Sequence, residues 1–279
     1  MRKTLLRALA LATSGLAACV MAACGTGTPA ANSSGTQQEG VLRIGTLTDA
    51  PPAIYQQDGE FTGYDNELLK VIAAKEGLKT EFVGTEFSSL LSQVNNGQFD
   101  VGSSSISSTA ARKKTVDFSN GYSTGFTSII TRTGAGSAEV GGYAGKRLGV
   151  VQASIQDDFA SSKVPGAEVV RFPGYNEGFA ALRNGGVDGW VVPKEIGQKY
   201  IDQNPDIALE HAFTVETKDT PSAYAVRKGN TALLDKLNHG LAEAIKDGTL
   251  EQLYTRFYPN QPLPDELKKG GAGLPVTNS

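Results

Sequence analysis

The sequence is poor in the residues that usually announce chemistry. Of its 279 residues only two are cysteine, two histidine and one tryptophan. Cys19 and Cys24 both lie at the N-terminal end, so the body of the chain has no thiol to crosslink and must be held by core packing. His211 and His239 have no metal-ligating neighbours at a useful spacing, so neither a metal nor a cofactor is expected. Lys/Arg-rich stripes are also absent. The longest basic run is Arg112-Lys113-Lys114, in a chain of net charge −3, which excludes the electrostatic footprint of a nucleic-acid binder. No apolar run reaches the ~20 residues that span a bilayer. What is left is a length sufficient to bury a core as one or two domains.

The first residues form a targeting pattern. Arg2, Lys3 and Arg7 precede an apolar stretch over residues 8–23 that Thr13, Ser14 and Gly15 interrupt, which is the layout of an export signal. Removing residues 1–23 carries off three positive charges and takes the net charge from −3 to −6. Small residues precede each cysteine, as Leu16-Ala17-Ala18-Cys19 and Met21-Ala22-Ala23-Cys24. Both resemble the bacterial lipobox, whose cysteine is acylated. Cys24 is favoured for its longer apolar approach and its polar sequel, with Cys19 the alternative.

Residues 24–40 are small and polar and read as a flexible tether; residues 259–279 have the same character and read as a flexible tail. Between them strands are expected at 42–47, 80–83, 99–103, 127–131, 147–151, 168–172, 189–192 and 223–226. One helix is expected after an Asp65 N-cap, with Leu68, Leu69, Ile72 and Ala73 on one face and Gly77 as its stop. A second carries Leu233, Leu234, Leu237, Leu241 and Ile245, and a third follows Gly248 with Leu250, Leu253 and Phe257. Alternation of strand and helix predicts an α/β fold of mainly parallel sheets covered by helices.

The stretch from Phe99 to Arg112 is the most informative. An apolar strand runs into five serines and a threonine within residues 103–109, then into a helix that Thr109 is suited to cap. Such a helix places Arg112 on its first turn, where backbone N–H groups, hydroxyls and a planar guanidinium converge on an anion. Strand ends of open α/β sheets are where ligands bind. Spacing alone leaves open both this anion pocket and a solvent-facing serine loop.

Thr109-Ala110-Ala111-Arg112 followed by Val116-Asp117-Phe118-Ser119 resembles the signature of family-3 extracellular solute-binding proteins, the polar amino acid receptors of ABC importers. Gly45-Thr46, Pro52, Gly59, Gly63-Tyr64-Asp65, residues 145–150 and Asp247-Gly248-Thr249 fall in the family's order, and the match spans residues 41–258. The resemblance implies a two-lobed periplasmic-binding-protein-like fold. Lobe 1 is then 41–120 with 224–258, lobe 2 is 125–218, and hinge crossings lie at 121–124 and 219–223. It also implies a monomer that closes on a small carboxylate-bearing ligand and delivers it to a permease, held to the membrane by a lipid anchor.

Carried over position by position, the resemblance makes Arg112 the carboxylate ligand, with Ser104, Ser105 and Ser107 beside it and Phe87 against the ligand's side chain. Ser154 and Ile155 stand in the second-lobe loop that completes the carboxylate site, Ile155 contributing only its N–H. Leu47 and Ala50 replace an acid and an aromatic residue on the first strand. Pro193 replaces the second-lobe aspartate that meets the α-ammonium group. Those departures point to a carboxylate with an apolar, aromatic or N-substituted remainder, unless a small register shift lets Asp49 or Glu195 supply the acid. Trp190, Tyr55 and Tyr122 are open to cleft or packing roles. A dehydratase-like enzyme and a sensory input domain are the rival classes, and the absence of histidine near the anion loop argues against the first.

Overall fold

The structure, a computed structural model, describes residues 34–217 and 220–278. The expected signal peptide, Cys19 and Cys24, most of the expected tether, residue 218 at the end of the expected second lobe and residue 219 of the second crossing lie outside the described residues.

The chain opens with β1 (Val41–Thr46) and a small antiparallel unit of β2 (Asp49–Ala50), β3 (Ile54–Gln57) and β4 (Glu60–Thr62). There follow α1 (Tyr64–Lys75), β5 (Lys79–Gly84), α2 (Phe87–Asn95), β6 (Val101–Ser103), α3 (Ala110–Lys113) and β7 (Val116–Phe118). A second series comprises β8 (Phe126–Arg132), β9 (Arg147–Val151), α4 (Ile155–Lys163) and β10 (Glu168–Phe172). It continues through α5 (Tyr175–Asn184), β11 (Gly189–Pro193), α6 (Lys194–Gln203) and β12 (Leu209–Glu216). The chain then returns through β13 (Ala225–Arg227), α7 (Thr231–Asp247) and α8 (Thr249–Phe257).

Two five-stranded sheets result, ordered β5-β1-β6-β13-β7 and β10-β9-β11-β8-β12. In the first, β1 runs parallel to β5 and β6 while the returning β13 is antiparallel to β6 and β7. In the second, β9 is parallel to β10 and β11, and β8 is antiparallel to β11 and β12. Each sheet buries an aliphatic face under helices. Leu42 and Ile44 pack with Leu68, Leu69 and Ile72 of α1 and with Leu237 and Leu241 of α7. Ile129, Leu148, Val150 and Val191 pack with Ala160 of α4. The chain crosses between the sheets at residues 119–125 and again after β12, where Tyr122 N–H donates to Ser222 O and Ser222 N–H to Ser123 O, each at 2.9 Å.

Three expectations need correction. Asp65 is not the N-cap of α1. Gly63 occupies that position at φ 103°, where an added Cβ would meet the carbonyl of Ala53, and the Asp65 carboxylate turns inward instead. Residues 259–278 do not trail away. Leu263 and Leu267 join the first lobe's core, Gly121 N–H donates to Leu274 O at 2.7 Å, and the Asn278 side chain pairs with both backbone groups of Phe118. Leu274 and Val276 pack against the core clusters as well. The end of the expected tether is likewise packed, with Thr36 buried and Gln37 N–H donating to Asp100 at 2.8 Å.

Candidate functional site

A cavity of about 80 Å³ lies between the two sheets, room for roughly six waters at the space one water needs. It admits a small solute. One wall is built by the serine loop after β6, and its shape is set from below by Asp65. That carboxylate is wholly buried, and its Oδ2 accepts from Ser105 N–H at 2.6 Å, Ser105 Oγ at 3.0 Å and Tyr122 OH at 2.6 Å. Burial still dominates and lifts its pKa to about 6 against those hydrogen bonds. Ser105 thereby holds a left-handed backbone at φ 45°, which an L-residue adopts only when its surroundings enforce it. Both of its donors serve Asp65. Ser104 is also engaged, accepting from Leu47 N–H at 3.1 Å and donating to Ser103 O at 2.6 Å. The serines therefore build the wall, and the cation behind it does the electrostatic work.

That cation is Arg112. Thr109 caps α3 by accepting from Arg112 N–H at 3.3 Å, which puts the guanidinium over the Phe87 ring at 5.1 Å. Nη1 donates to Ser107 O at 3.1 Å, and Nη2 reaches across the cleft to Ala153 O at 3.0 Å. Among the described residues no carboxylate lies within ion-pair distance of it. Desolvation lowers its pKa to about 10, with Asp158 and Tyr175 only partly opposing. A guanidinium in the cavity, charged at neutral pH and lacking a counter-ion, is a strong carboxylate site.

The second lobe supplies the opposite wall. Ser154 caps α4 by accepting from Asp157 N–H at 3.1 Å, and Ser154, Ile155 and Gln156 line the cavity. The first-turn N–H groups of Ile155 and Gln156 have no acceptor among the described residues, so they reinforce the pull on an anion at this helix end. Pro193 ends β11 and also lines the cavity, without a charge to offer. Two residues on, however, Glu195 in the first turn of α6 lines it too, so the missing acid at 193 does not leave this wall uncharged. Asp49, the other acid near the site, is committed elsewhere: it accepts from Tyr175 N–H and Asn176 N–H at the start of α5.

Of the residues the sequence singled out, the structure brings Leu47, Phe87, Ser104, Ser105, Ser107, Arg112, Ser154, Ile155 and Pro193 to this one cavity. Ala50 and Trp190 do not reach it. Ala50 is fully buried in β2, in an apolar cluster that includes Leu47 and Ile54. Trp190 is fully buried beside Gly149 and Gly178, where any Cβ would strike the indole at 2.4 and 2.0 Å, and is ringed by Phe172, Tyr175 and Phe179. Tyr122 is a hinge anchor beneath the site. Residues the sequence reading did not reach include Tyr175 at the head of α5, Thr217 just after β12, Tyr254 of α8 and Tyr258 just past its end. The (i, i+4) spacing of the last two was the available signal, since it brings the two rings to within 4.9 Å of each other at the end of α8.

Comparison with known proteins agrees with this geometry. The family described as bacterial extracellular solute-binding proteins, family 3, matches residues 42–260. The arginine-binding extracellular protein ArtP of Bacillus subtilis is 28% identical over 251 residues, covering 88% of this chain and 96% of its own. Among solved structures, an ancestral arginine-binding protein bound to arginine is 33% identical with a TM-score of 0.75, covering 78% of this chain and 98% of that one. The ancestral amino acid-binding protein AncCDT-1, a precursor of cyclohexadienyl dehydratase, is 28% identical with a TM-score of 0.71, covering 78% and 96%. A two-lobed α/β receptor fold, a cleft cation with no carboxylate partner among the described residues and a family match over most of the length lead to one conclusion: the chain belongs to the bacterial extracellular solute-binding proteins, family 3.

Proposed function

We propose that the protein captures an amino acid, or a close derivative bearing a carboxylate, in the cleft and presents it to the permease of an ABC importer without altering it. The observation that carries this reading is Arg112, a cavity-lining guanidinium that bridges the lobes through Ser107 O and Ala153 O and has no carboxylate partner among the described residues. A ligand carboxylate gains a charge-assisted, bidentate contact there and lies against the N-terminus of α4. Leu47, Ile54, Phe87 and Ile155 give the rest of the cavity an apolar lining, which favours an uncharged side chain over a basic one. L-arginine, the ligand in the name of the Bacillus subtilis relative, is therefore the discriminating competitor.

On this reading the protein sits on the extracytoplasmic face as a monomer, anchored by acylation of Cys24, with Cys19 as the alternative. No helix among the described residues is long and apolar enough to cross a membrane.

The test is to denature purified protein, identify released small molecules by mass spectrometry, and follow with calorimetry against amino acids and amino-free carboxylates. Recovery of an unchanged amino acid that protects the fold supports the proposal. Turnover of the bound molecule, or binding that survives Arg112→Ala, overturns it.

A further inference from the structure

The segment after α8 does more than fill the first lobe's core. Leu263 and Leu267 root it there, and a glycine-rich turn follows. Gly270 and Gly273 adopt φ 79° and 78°, and Gly273 N–H donates to Glu266 O at 2.8 Å. A Cβ at Gly271 would lie 2.3 Å from that same oxygen, so the turn closes only with glycine there. It leads residues 274–278 to the first crossing. Pro275 disfavours the helical region for Leu274, and Leu274 O accepts from Gly121 N–H at 2.7 Å in an antiparallel bridge. Val276 N–H donates to Asn120 Oδ1 at 3.3 Å. Asn278 Oδ1 accepts from Phe118 N–H at 2.9 Å while its Nδ2 donates to Phe118 O at 2.8 Å. Among the described residues none of this segment's hydrogen bonds reaches the second lobe.

We propose that residues 274–278 are a strap on the hinge, a third strand beside the two crossings that holds the lobes toward their joined arrangement and slows the release of cargo. The effect on cargo rests on the capture reading above; the bias on the hinge does not. Successive N–H groups of the first crossing go to different partners, Gly121 to the strap and Tyr122 to Ser222 of the second crossing at 2.9 Å. Gly121 is thus confined between the two, and an added Cβ would lie 2.6 Å from Pro221 and 3.2 Å from Leu274. A glycine in a crossing is the residue freest to absorb the change in φ and ψ that lobe opening demands. The strap takes that freedom away. It cannot follow the second lobe outward, because Leu263 and Leu267 fix its root in the first lobe and Asn278 fixes its tip to Phe118. Opening about the crossings must therefore bend or break the Gly121–Leu274 bond. The joined arrangement keeps it, with Arg112 reaching Ala153 O and Asp49 capping α5. A contact that differs between two states shifts the population toward the state in which it is made.

The experiment removes the strap and keeps its root. A chain ending at Gly273 retains Leu263 and Leu267. A full-length Asn120→Ala/Asn278→Ala variant removes only the side-chain bonds and decides the matter if the shortened chain does not fold. X-ray scattering on the ligand-free protein reads the hinge. Rapid-mixing dissociation of whichever of L-glutamine, L-phenylalanine and L-arginine binds wild type reads the release of cargo. Without the strap the radius of gyration should rise and the dissociation rate should increase about threefold or more, the effect of losing one or two hydrogen bonds. The double variant should move both quantities the same way by less. A lower melting temperature with unchanged scattering and dissociation would reduce the segment to packing alone and overturn the proposal, as would slower release. If wild type binds none of the three amino acids, the capture reading falls, and scattering by itself decides whether the strap biases the hinge.

Discussion

Asp49 of the first lobe caps a helix of the second, for its Oδ2 accepts the N–H of Tyr175, the first residue of α5, at 2.7 Å. The N–H of Asn176 adds a second bond at 2.9 Å to the same oxygen. A helix cap is normally local; this one exists only while the lobes are together. An N-cap contributes about 1 kcal/mol, so Asp49→Ala should weaken amino acid binding by about three- to tenfold and shift the ligand-free ensemble toward open forms. Calorimetry reads the first effect and the radius of gyration from X-ray scattering the second. Unchanged affinity would show that the cap has no part in closure.

Arg112 carries a sharper prediction. Arg112→Ala should cost about 3 kcal/mol or more of ligand affinity, because the bound carboxylate is left desolvated without its partner. Arg112→Lys should recover little of it. An ammonium group cannot present two parallel donors to the ligand while also reaching Ser107 O and Ala153 O, as the guanidinium does. Titration calorimetry on the folded variants decides between loss and rescue.

Glu195 makes binding depend on pH. Burial raises its pKa in the empty cleft to about 7, so a ligand amino group that paired with it would have to displace a proton below that pH. Affinity for an amino acid should therefore rise as pH increases from 5 to 8, by about tenfold per unit at the acid end, and flatten above 7. Tyr175, Tyr254 and Tyr258 line the same cavity, and burial pushes all three phenols upward, so they stay neutral over this range. The unliganded protein follows the opposite trend. Glu195 and Asp65 both have folded pKa values above their ordinary ones, at about 7 and about 6, so the native state binds more protons than the unfolded chain. Their stabilising contribution is full below the ordinary carboxylate range and is lost as pH rises through 6 and 7. Melting curves with and without amino acid across pH 4.5–8 separate the two trends.

Asp65→Ala should damage fold and site together. It leaves Ser105 N–H, Ser105 Oγ and Tyr122 OH without their common acceptor, at a cost of about 3 kcal/mol or more in unfolding free energy. A fall in melting temperature with no loss of affinity in the surviving folded fraction would show that the loop keeps its shape without the carboxylate.

Deleting residues 261–279 should destabilise the protein rather than leave it untouched. Leu263 and Leu267 alone bury two leucine side chains in the first lobe, each contributing about 1.5–3 kcal/mol. A melting temperature within one degree of the full chain's would contradict the packing described.

Much of this architecture was legible because it is locally encoded. All eight expected strands correspond to strands of the two sheets, since apolar runs bounded by turn residues are self-contained signals. The Thr109 cap and the Arg112 position three residues later were readable for the same reason. What could not be read depends on distant partners. Asp65 looks like a helix cap until Ser105, forty residues away, claims its carboxylate. The strand β12 was missed because it places Glu210 and His211 beside each other in a run of half-buried residues, with a bulge that interrupts its alternation. Trp190 could not be assigned to core or cleft without knowing that Gly149 and Gly178 leave room for its indole. Glu195 was visible as an acid near position 193, but only the fold shows that the cavity extends to it.

The carboxylate of Asp65 joins two things that a moving receptor would be expected to keep apart, the serine loop that lines the cavity and Tyr122 in the crossing segment. The landing surface and the axle of the machine are one piece. A solute entering the cleft thus finds one wall whose ordering was completed when the chain folded. Such a division lets evolution, or an engineer, rewrite cargo preference at Pro193 and Glu195 while the mechanical foundation stays as it is.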